Sequence, residues 1–226
     1  MKQLNVVITS GGTSEYIDDV RVLSNISSGR LGSVIANEFL KNGHEVTYVA
    51  PKNSVRPSEH YVYGHRPIKD TASVMEVMKE LVPKADVVIQ SMAVSDFTFD
   101  LEGAVKLSSG DPEAFVEHMR KTITKTPKVI SHFREWNPKA ILVGFKFTVG
   151  KSSKELLEIA TKLLKENNLN MVFANDKSAM KQAGAHVGML ITPIGFDEPL
   201  IDKLRSKEEI AERIYANVVM IKGNGK

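Results

Sequence analysis

Apolar residues fall in short unbroken blocks, separated by longer stretches in which they recur every three or four positions. The blocks at 4–9, 46–50, 86–92, 140–146, 170–174 and 187–192 are rich in Val and Ile and do not alternate with polar residues. That is the pattern of strands buried on both faces. The periodic stretches predict helices over 29–42, 71–82, 127–136, 152–167 and 206–221. Ser152-Ser153-Lys154-Glu155 opens one of these with a capping box, and Asn42-Gly43 closes another. Strand and helix in alternation predict an α/β fold: a doubly wound, mostly parallel, Rossmann-like sheet with helices on both faces. Segment 176–205 reads as a β-hairpin extension around Thr192-Pro193-Ile194-Gly195.

Two stretches break the alternation. Residues 10–28, between the first strand and first helix, exceed the roughly 2–6 residues usual for such connections and are expected to be functional. Residues 97–111 carry Gly103, Ser108, Ser109 and Gly110 without helical period, and read as a mobile loop or lid.

Composition narrows the class. A chain of 226 residues, 42% hydrophobic and 25% charged, suits a single globular domain over 1–226. Thirty basic against 27 acidic residues give a net charge of only +3, with no Lys/Arg block interleaved with aromatics. The footprint of a nucleic-acid protein is missing. No cysteine is present, which excludes disulfides, thiolate zinc sites and thiol nucleophiles. Met1 runs straight into the strand-like Leu4-Asn5-Val6-Val7-Ile8 with no signal-peptide pattern. No apolar run approaches the roughly 20 residues that span a bilayer. A cytoplasmic protein without membrane contact is expected.

Candidate chemistry gathers at predicted strand ends. Ser10-Gly11-Gly12-Thr13 directly follows the first strand, where glycines admit backbone N–H groups to a phosphate or simply make a tight turn. Asn25-Ile26-Ser27-Ser28-Gly29-Arg30-Leu31-Gly32 leads into the first helix, whose N-terminus offers unpaired donors and partial positive charge. An ordinary Ser cap with packing glycines is the alternative. A dinucleotide site needs G-x-G-x-x-G and an acidic residue about 20 positions on. Gly11-Gly12 lacks the third glycine, and the second strand ends Val49-Ala50-Pro51. Met92-Ala93-Val94-Ser95-Asp96-Phe97 ends another strand with small residues and a carboxylate, which reads as a ligand group or a helix cap. Phe145-Lys146 and Asn175-Asp176 end strands on the same predicted edge, while Lys106 lies alone in the second long loop. The six histidines lack metal-ligand spacing, and no G-x-S-x-G occurs.

These segments, taken in order with Val20-Arg21, Val143-Gly144-Phe145-Lys146 and Phe173-Ala174-Asn175-Asp176, resemble phosphopantothenoylcysteine synthetase (phosphopantothenate–cysteine ligase) over nearly the whole chain. The Asn-x-Ser-Ser-Gly segment combined with Ala-Val-Ser-Asp is the specific part. The resemblance implies a cytoplasmic ligase of coenzyme A biosynthesis. It implies 4'-phosphopantothenate, cysteine and a nucleoside triphosphate as substrates, an acyl-nucleotide intermediate, release of pyrophosphate, Mg²⁺ and a homodimer. It also implies the stand-alone form, without the flavin-dependent decarboxylase to which many bacterial members are fused, and so no flavin. Carried over by residue, Gly11, Ser27, Ser28, Gly29 and Gly32 cradle the triphosphate, and Phe145 and Asn175 line the nucleotide site. Asn25, Ala93 and Asp96 hold phosphopantothenate. Asn25 also orients the acyl-nucleotide, Lys106 closes over it, and Arg21 reaches a substrate phosphate held by the partner chain. Met92 and Lys146 depart from the family pattern, and the lysine pair expected before Ala174 has no clean match, Lys162 and Lys165 lying only nearby. The expected nucleotide is CTP, as in bacterial members, with ATP, used by animal ones, as the alternative. Other classes that the architecture admits are a nicotinamide-dependent reductase, disfavoured by the two missing fingerprint features, and a nucleotide-binding module without catalysis.

Overall fold

The unbroken apolar blocks build the centre of the molecule: Val6, Ile8, Val87, Val88 and Ile89 are completely buried. In a computed structural model, which describes residues 2–100, 110–193 and 199–224, the strands are β1 (Asn5–Thr9), β2 (Ser14–Tyr16), β3 (Val22–Ser24), β4 (Glu45–Ala50), β5 (Gly64–Pro67), β6 (Val87–Gln90), β7 (Phe97–Phe99), β8 (Ile123–Lys125), β9 (Ile141–Thr148), β10 (Met171–Asp176), β11 (Gly188–Thr192) and β12 (Leu200–Leu204). The helices are α1 (Arg30–Lys41), α2 (Thr71–Leu81), α3 (Pro112–Thr122), α4 (Phe133–Trp136), α5 (Ser153–Glu166), α6 (Lys177–Ala183) and α7 (Lys207–Asn224).

Eight strands form one sheet in the order β12-β11-β10-β9-β6-β1-β4-β5. The run from β10 to β5 is parallel, and β11 is antiparallel to both its neighbours. From β1 the chain winds outward to β4 and β5; from β6 it winds the other way. The switch point between β1 and β6 opens a crevice at the carboxyl edge, where ligands bind in such folds. Because β12 runs parallel to β10, α7 starts at that same edge, as α1 does.

Two apolar layers flank the sheet. On one face α1 and α7 bury Ile35, Phe39, Ile210, Ile214 and Val218, and Phe39 meets Tyr215 edge-on at 5.4 Å. On the other, α2, α4 and α5 bury Val74, Met78, Phe133, Leu156 and Ala160. Each such large side chain contributes on the order of 1.5–3 kcal/mol. No helix among the described residues is long and apolar enough to cross a membrane.

The predicted sheet and its helices are found, and segment 176–205 does end in a β11–β12 hairpin, but it opens with a helix, α6, that the pattern did not show. The predicted helix over 127–136 begins as a 3₁₀ turn (Val129–His132) before α4. The two long connections contain structure that the pattern did not show. Segment 10–28 holds β2 and β3, paired as an antiparallel ribbon. Segment 97–111 begins with β7, which pairs with β8, and ends at Asp111, the cap of α3. Lys106 and the hairpin turn residues Ile194 and Gly195 lie outside the described residues.

Candidate active site

The loops leaving β1 and β6 are stitched together by backbone and hydroxyl groups. Gly12 and Ala93 form a parallel bridge, with Ala93 N–H donating to the Gly11 carbonyl at 2.9 Å and Thr13 N–H to the Ala93 carbonyl at 3.1 Å. The Ser95 amide donates to Thr13 Oγ1 (2.9 Å), and Thr126 Oγ1 donates to the Ser95 carbonyl (2.6 Å). Asn25 Nδ2 crosses to the Val94 carbonyl at 3.3 Å. Glycine is required at position 12, because a Cβ there would sit 2.9 Å from the Asn25 carbonyl oxygen.

The same economy of volume lowers α1 onto the sheet. Gly29, the residue preceding α1, has φ +78°, and a Cβ on it would collide with Ser54 Oγ. A Cβ on Gly32 would overlap the Ser10 side chain and lie 2.8 Å from Ser91 Oγ. The Gly29 carbonyl accepts from Ser10 Oγ (2.9 Å), the Ser33 amide (3.0 Å) and the Tyr48 hydroxyl (3.4 Å). Burial pushes the Tyr48 phenol up to about 12, against hydrogen bonds to Ser10 and Ser54. Tyr48 therefore stays a neutral donor that fixes the start of α1. The first-turn amides of α1 have no acceptor within the helix, and Arg30 N–H reaches only Ser28 Oγ at 3.4 Å.

Above these groups lies a cleft of about 500 Å³. Ser27, Ser28, Gly29 and Gly32 line one side, Ala93 and Asp96 the floor, and Phe145 and Asn175 the far wall. Phe145 packs on Phe173 (5.8 Å, 52°), which stacks in turn on His186 (6.4 Å, 12°). Asn175 is buried, and its amide nitrogen meets Met180 Sδ at 3.1 Å. Asp176 secures this wall: it accepts from the Lys151 amide (3.0 Å), Thr148 Oγ1 (2.9 Å) and the Ser178 amide (2.9 Å). Those bonds, the Lys151 amide foremost, hold its carboxyl down at about 2 despite burial. Among the described residues, Arg30, Lys146 and Lys207 line the cleft against one carboxylate, Asp96, so their field favours an anion. Burial first, then Lys207, lowers the His186 pKa. A smaller cavity of about 210 Å³ continues past Asp96, Phe145 and Lys146 toward Gln90 and Thr126.

Eight of the sequence-predicted site residues thus share one cleft. Asn25 stands at its rim, exposed, tied to Val94. Gly11 is not on the lining; its φ of +79° turns its carbonyl onto Ala93 beneath the cleft. Arg21 is also off the lining, its guanidinium 2.9 Å from the buried Asp18 carboxylate and 5.3 Å above the Phe115 ring. Asp96 caps no helix, since β7 follows it. Lys207, His186 and Met180 were not singled out from the sequence. Among the described residues, no group of three His, Cys, Asp or Glu is arranged to hold a metal ion.

A family model described as the DNA/pantothenate metabolism flavoprotein C-terminal domain matches residues 1–221. The chain belongs to this family. A curated relative, the coenzyme A biosynthesis bifunctional protein CoaBC of Thermococcus kodakarensis, is 33% identical over 215 residues, covering 94% of this chain and 50% of that protein. The chain spans about half the length of the curated relatives it matches. Among solved structures of the family's fold, the DNA/pantothenate metabolism flavoprotein from Streptococcus pneumoniae superposes with a TM-score of 0.79 at 33% identity, covering 96% of this chain and 99% of that one. The C-terminal domain of a coenzyme A biosynthesis bifunctional protein CoaBC gives 0.77 at 25% identity, with 99% and 98% covered. The family membership carries the central sheet and its C-terminal antiparallel strands with it.

Proposed function

We propose that the chain is a phosphopantothenate–cysteine ligase that forms 4'-phosphopantothenoylcysteine in the cytoplasm, using CTP in preference to ATP. One observation carries this reading: the open N-terminus of α1, the Asn25 carboxamide and the Ala93–Asp96 segment converge on a single cation-lined cleft. Relatives named for coenzyme A biosynthesis support it.

A carboxylate does not acylate an amine, because oxide is a bad leaving group. In the first step a carboxylate oxygen of phosphopantothenate attacks the α-phosphorus of the nucleotide. The bond from that phosphorus to the bridging oxygen breaks, and pyrophosphate leaves with the electron pair. In the second step the cysteine amine attacks the acyl carbon, the C–O bond to the nucleoside monophosphate breaks, and one amine proton passes to solvent. Such chemistry asks for positioning and charge neutralisation more than for covalent help. The amides at Ser28, Gly29 and Gly32, with the Ser27 and Ser28 hydroxyls, cradle the triphosphate, and Gly11 acts beneath them through Ala93. Phe145 and Asn175 flank the nucleoside. Ala93 and Asp96 hold phosphopantothenate, Asn25 orients the acyl-nucleotide, and Lys106 closes over it. Mg²⁺ supplies charge neutralisation on the phosphate oxygens. With Asp96 the one carboxylate on the described lining, the ion would arrive bound to the nucleotide rather than be taken up by a protein cage, as suits a cation that dehydrates reluctantly.

We place the functional unit as a homodimer. Exposed Tyr16, Val22, Leu23, Phe97 and Ile123 crowd the two small ribbons around Arg21, an apolar surface suited to a second copy. Arg21 then serves a substrate phosphate in the neighbouring subunit, for which its planar fork is suited.

The deciding measurement is pyrophosphate release. Purified protein with CTP and Mg²⁺ is expected to release pyrophosphate only when phosphopantothenate is added, and to consume cysteine in the second step. Nucleotide binding without phosphopantothenate-dependent release would instead favour a non-catalytic module.

A further inference from the structure

Three cations line the cleft, and two of them, Lys146 and Lys207, are half-buried. Lys207 comes from the last helix, far in sequence from the α1 loop. Like Arg30 and Lys146, it forms no ion pair among the described residues. Neither neighbouring carboxylate of α7, Glu208 or Glu209, lines the cleft or forms an ion pair with Lys207. Glu209 Oε2 accepts from the Arg205 amide at 2.7 Å, and the exposed Glu208 is not on the lining. The helix end carries a serine cap, the Glu209 amide donating to Ser206 Oγ at 3.0 Å. The group left over is the ammonium. Its charge is felt across the wall, where it helps to lower the pKa of His186. A half-buried cation with no counter-ion among the described residues costs desolvation free energy, which an anion bound in the cleft would offset.

The position fixes which anion. Both α1 and α7 start at the carboxyl edge and pack side by side on one face, and Lys207 lines the same cleft as the open N-terminus of α1. We infer that Lys207 is a catalytic residue of the first half-reaction: it binds the β- and γ-phosphates of the nucleotide and neutralises the charge that gathers on pyrophosphate as its bond to the α-phosphorus breaks. No proton moves in this role. The electron pair goes to the pyrophosphate oxygen, and the ammonium stays charged throughout. The inference rests on the ligase reading above and adds the element that receives the leaving group.

The test compares nucleotides that differ only in those two phosphates. Calorimetric titrations of CTP and CMP, repeated with ATP and AMP, are run on the wild type, Lys207→Gln, Lys207→Arg and the control Lys203→Gln. Lys203 sits on β12 and is not on the cleft lining. Lys207→Gln is expected to lose about tenfold or more in triphosphate affinity, the scale of one charge-assisted hydrogen bond. Its monophosphate affinity should stay unchanged, and its melting temperature should not fall. Pyrophosphate release should slow in kcat as well as kcat/KM, because the charge grows in the transition state. Lys207→Arg should keep the discrimination, and Lys203→Gln should match wild type. A Lys207→Gln protein with the wild-type ratio of CTP to CMP affinity overturns the inference and leaves the ligase reading standing. A wild type that binds neither triphosphate overturns both.

Discussion

At Gly32 two residue-scale effects of known size oppose each other. Replacing a helical glycine by alanine favours the helix by about 1 kcal/mol. The added methyl would overlap the Ser10 side chain and press on Ser91, and overpacking of this kind costs about 1–3 kcal/mol. Both serines are held by hydrogen bonds to backbone carbonyls, Ser10 to Gly29 and Ser91 to Thr9, so neither can swing aside freely. Gly32→Ala is therefore expected to lower the urea midpoint with an unchanged m-value; a raised midpoint would show that propensity wins. The histidines set a pH dependence at the same scale. Burial lowers the pKa of His44, His65 and His186, with the N-terminal charge, Arg56 and Lys207 respectively adding to it. Each imidazole has its Nε2 buried without a hydrogen-bond partner. The folded protein thus binds fewer protons than the unfolded chain, so stability is complete above the ordinary value of 6.5 and falls as pH drops through it toward the lowered values. Urea midpoints at about pH 8 and pH 5.5 check this, and the acidic midpoint should be the lower.

At the scale of elements, what the sequence disclosed follows from burial. The six central strands were legible because both faces are covered, leaving unbroken runs such as Val87-Val88-Ile89. The ribbons were not, because Ser14-Glu15-Tyr16 and Val22-Leu23-Ser24 are three residues each and lie largely open on one side. β5 is an edge strand of Gly64-His65-Arg66-Pro67, whose glycine and proline argue against a strand. α3 fully buries none of its residues, and its apolar stripe is no more than Phe115 and Met119, one turn apart, in a largely polar segment. Its start was nonetheless written in Asp111-Pro112-Glu113, a cap, a first-turn proline and an early acid. The cleft was legible where glycine, serine and asparagine follow strands in the α1 half of the molecule. Lys207 escaped because β12 was not separated from its hairpin, so nothing placed the start of α7 at the carboxyl edge. Asp176 was legible only as a strand end, whereas it caps α6 and anchors the wall beside Asn175.

For the whole molecule, the proposed two-fold assembly makes a prediction that single-subunit behaviour cannot mimic. Let Arg21→Ala and Asn25→Asp proteins each be weak, and exchange their subunits. If Arg21 serves the neighbouring site, one end of each mixed dimer pairs an intact Arg21 with an intact Asn25, while the other end carries both lesions. Activity should recover to about half of wild type per mixed dimer, a consequence of two-fold symmetry. Exchange confirmed by native mass spectrometry without any recovery would confine Arg21 to its contact with Asp18.

The hydroxyl stitching of Thr13, Ser95 and Thr126 constrains how this protein can change over generations. Three loops from distant parts of the chain meet there in fixed register, each holding the next by a backbone atom. One inserted residue in any of them would shift every donor past its acceptor and orphan several buried groups at once. Length is thus frozen in the loops behind the cleft, while a rim side chain with no assigned role, such as the fully solvent-exposed Ile26, is free to vary. New substrate preference in this architecture is therefore expected to arise by substitution at the rim, and not by lengthening these loops.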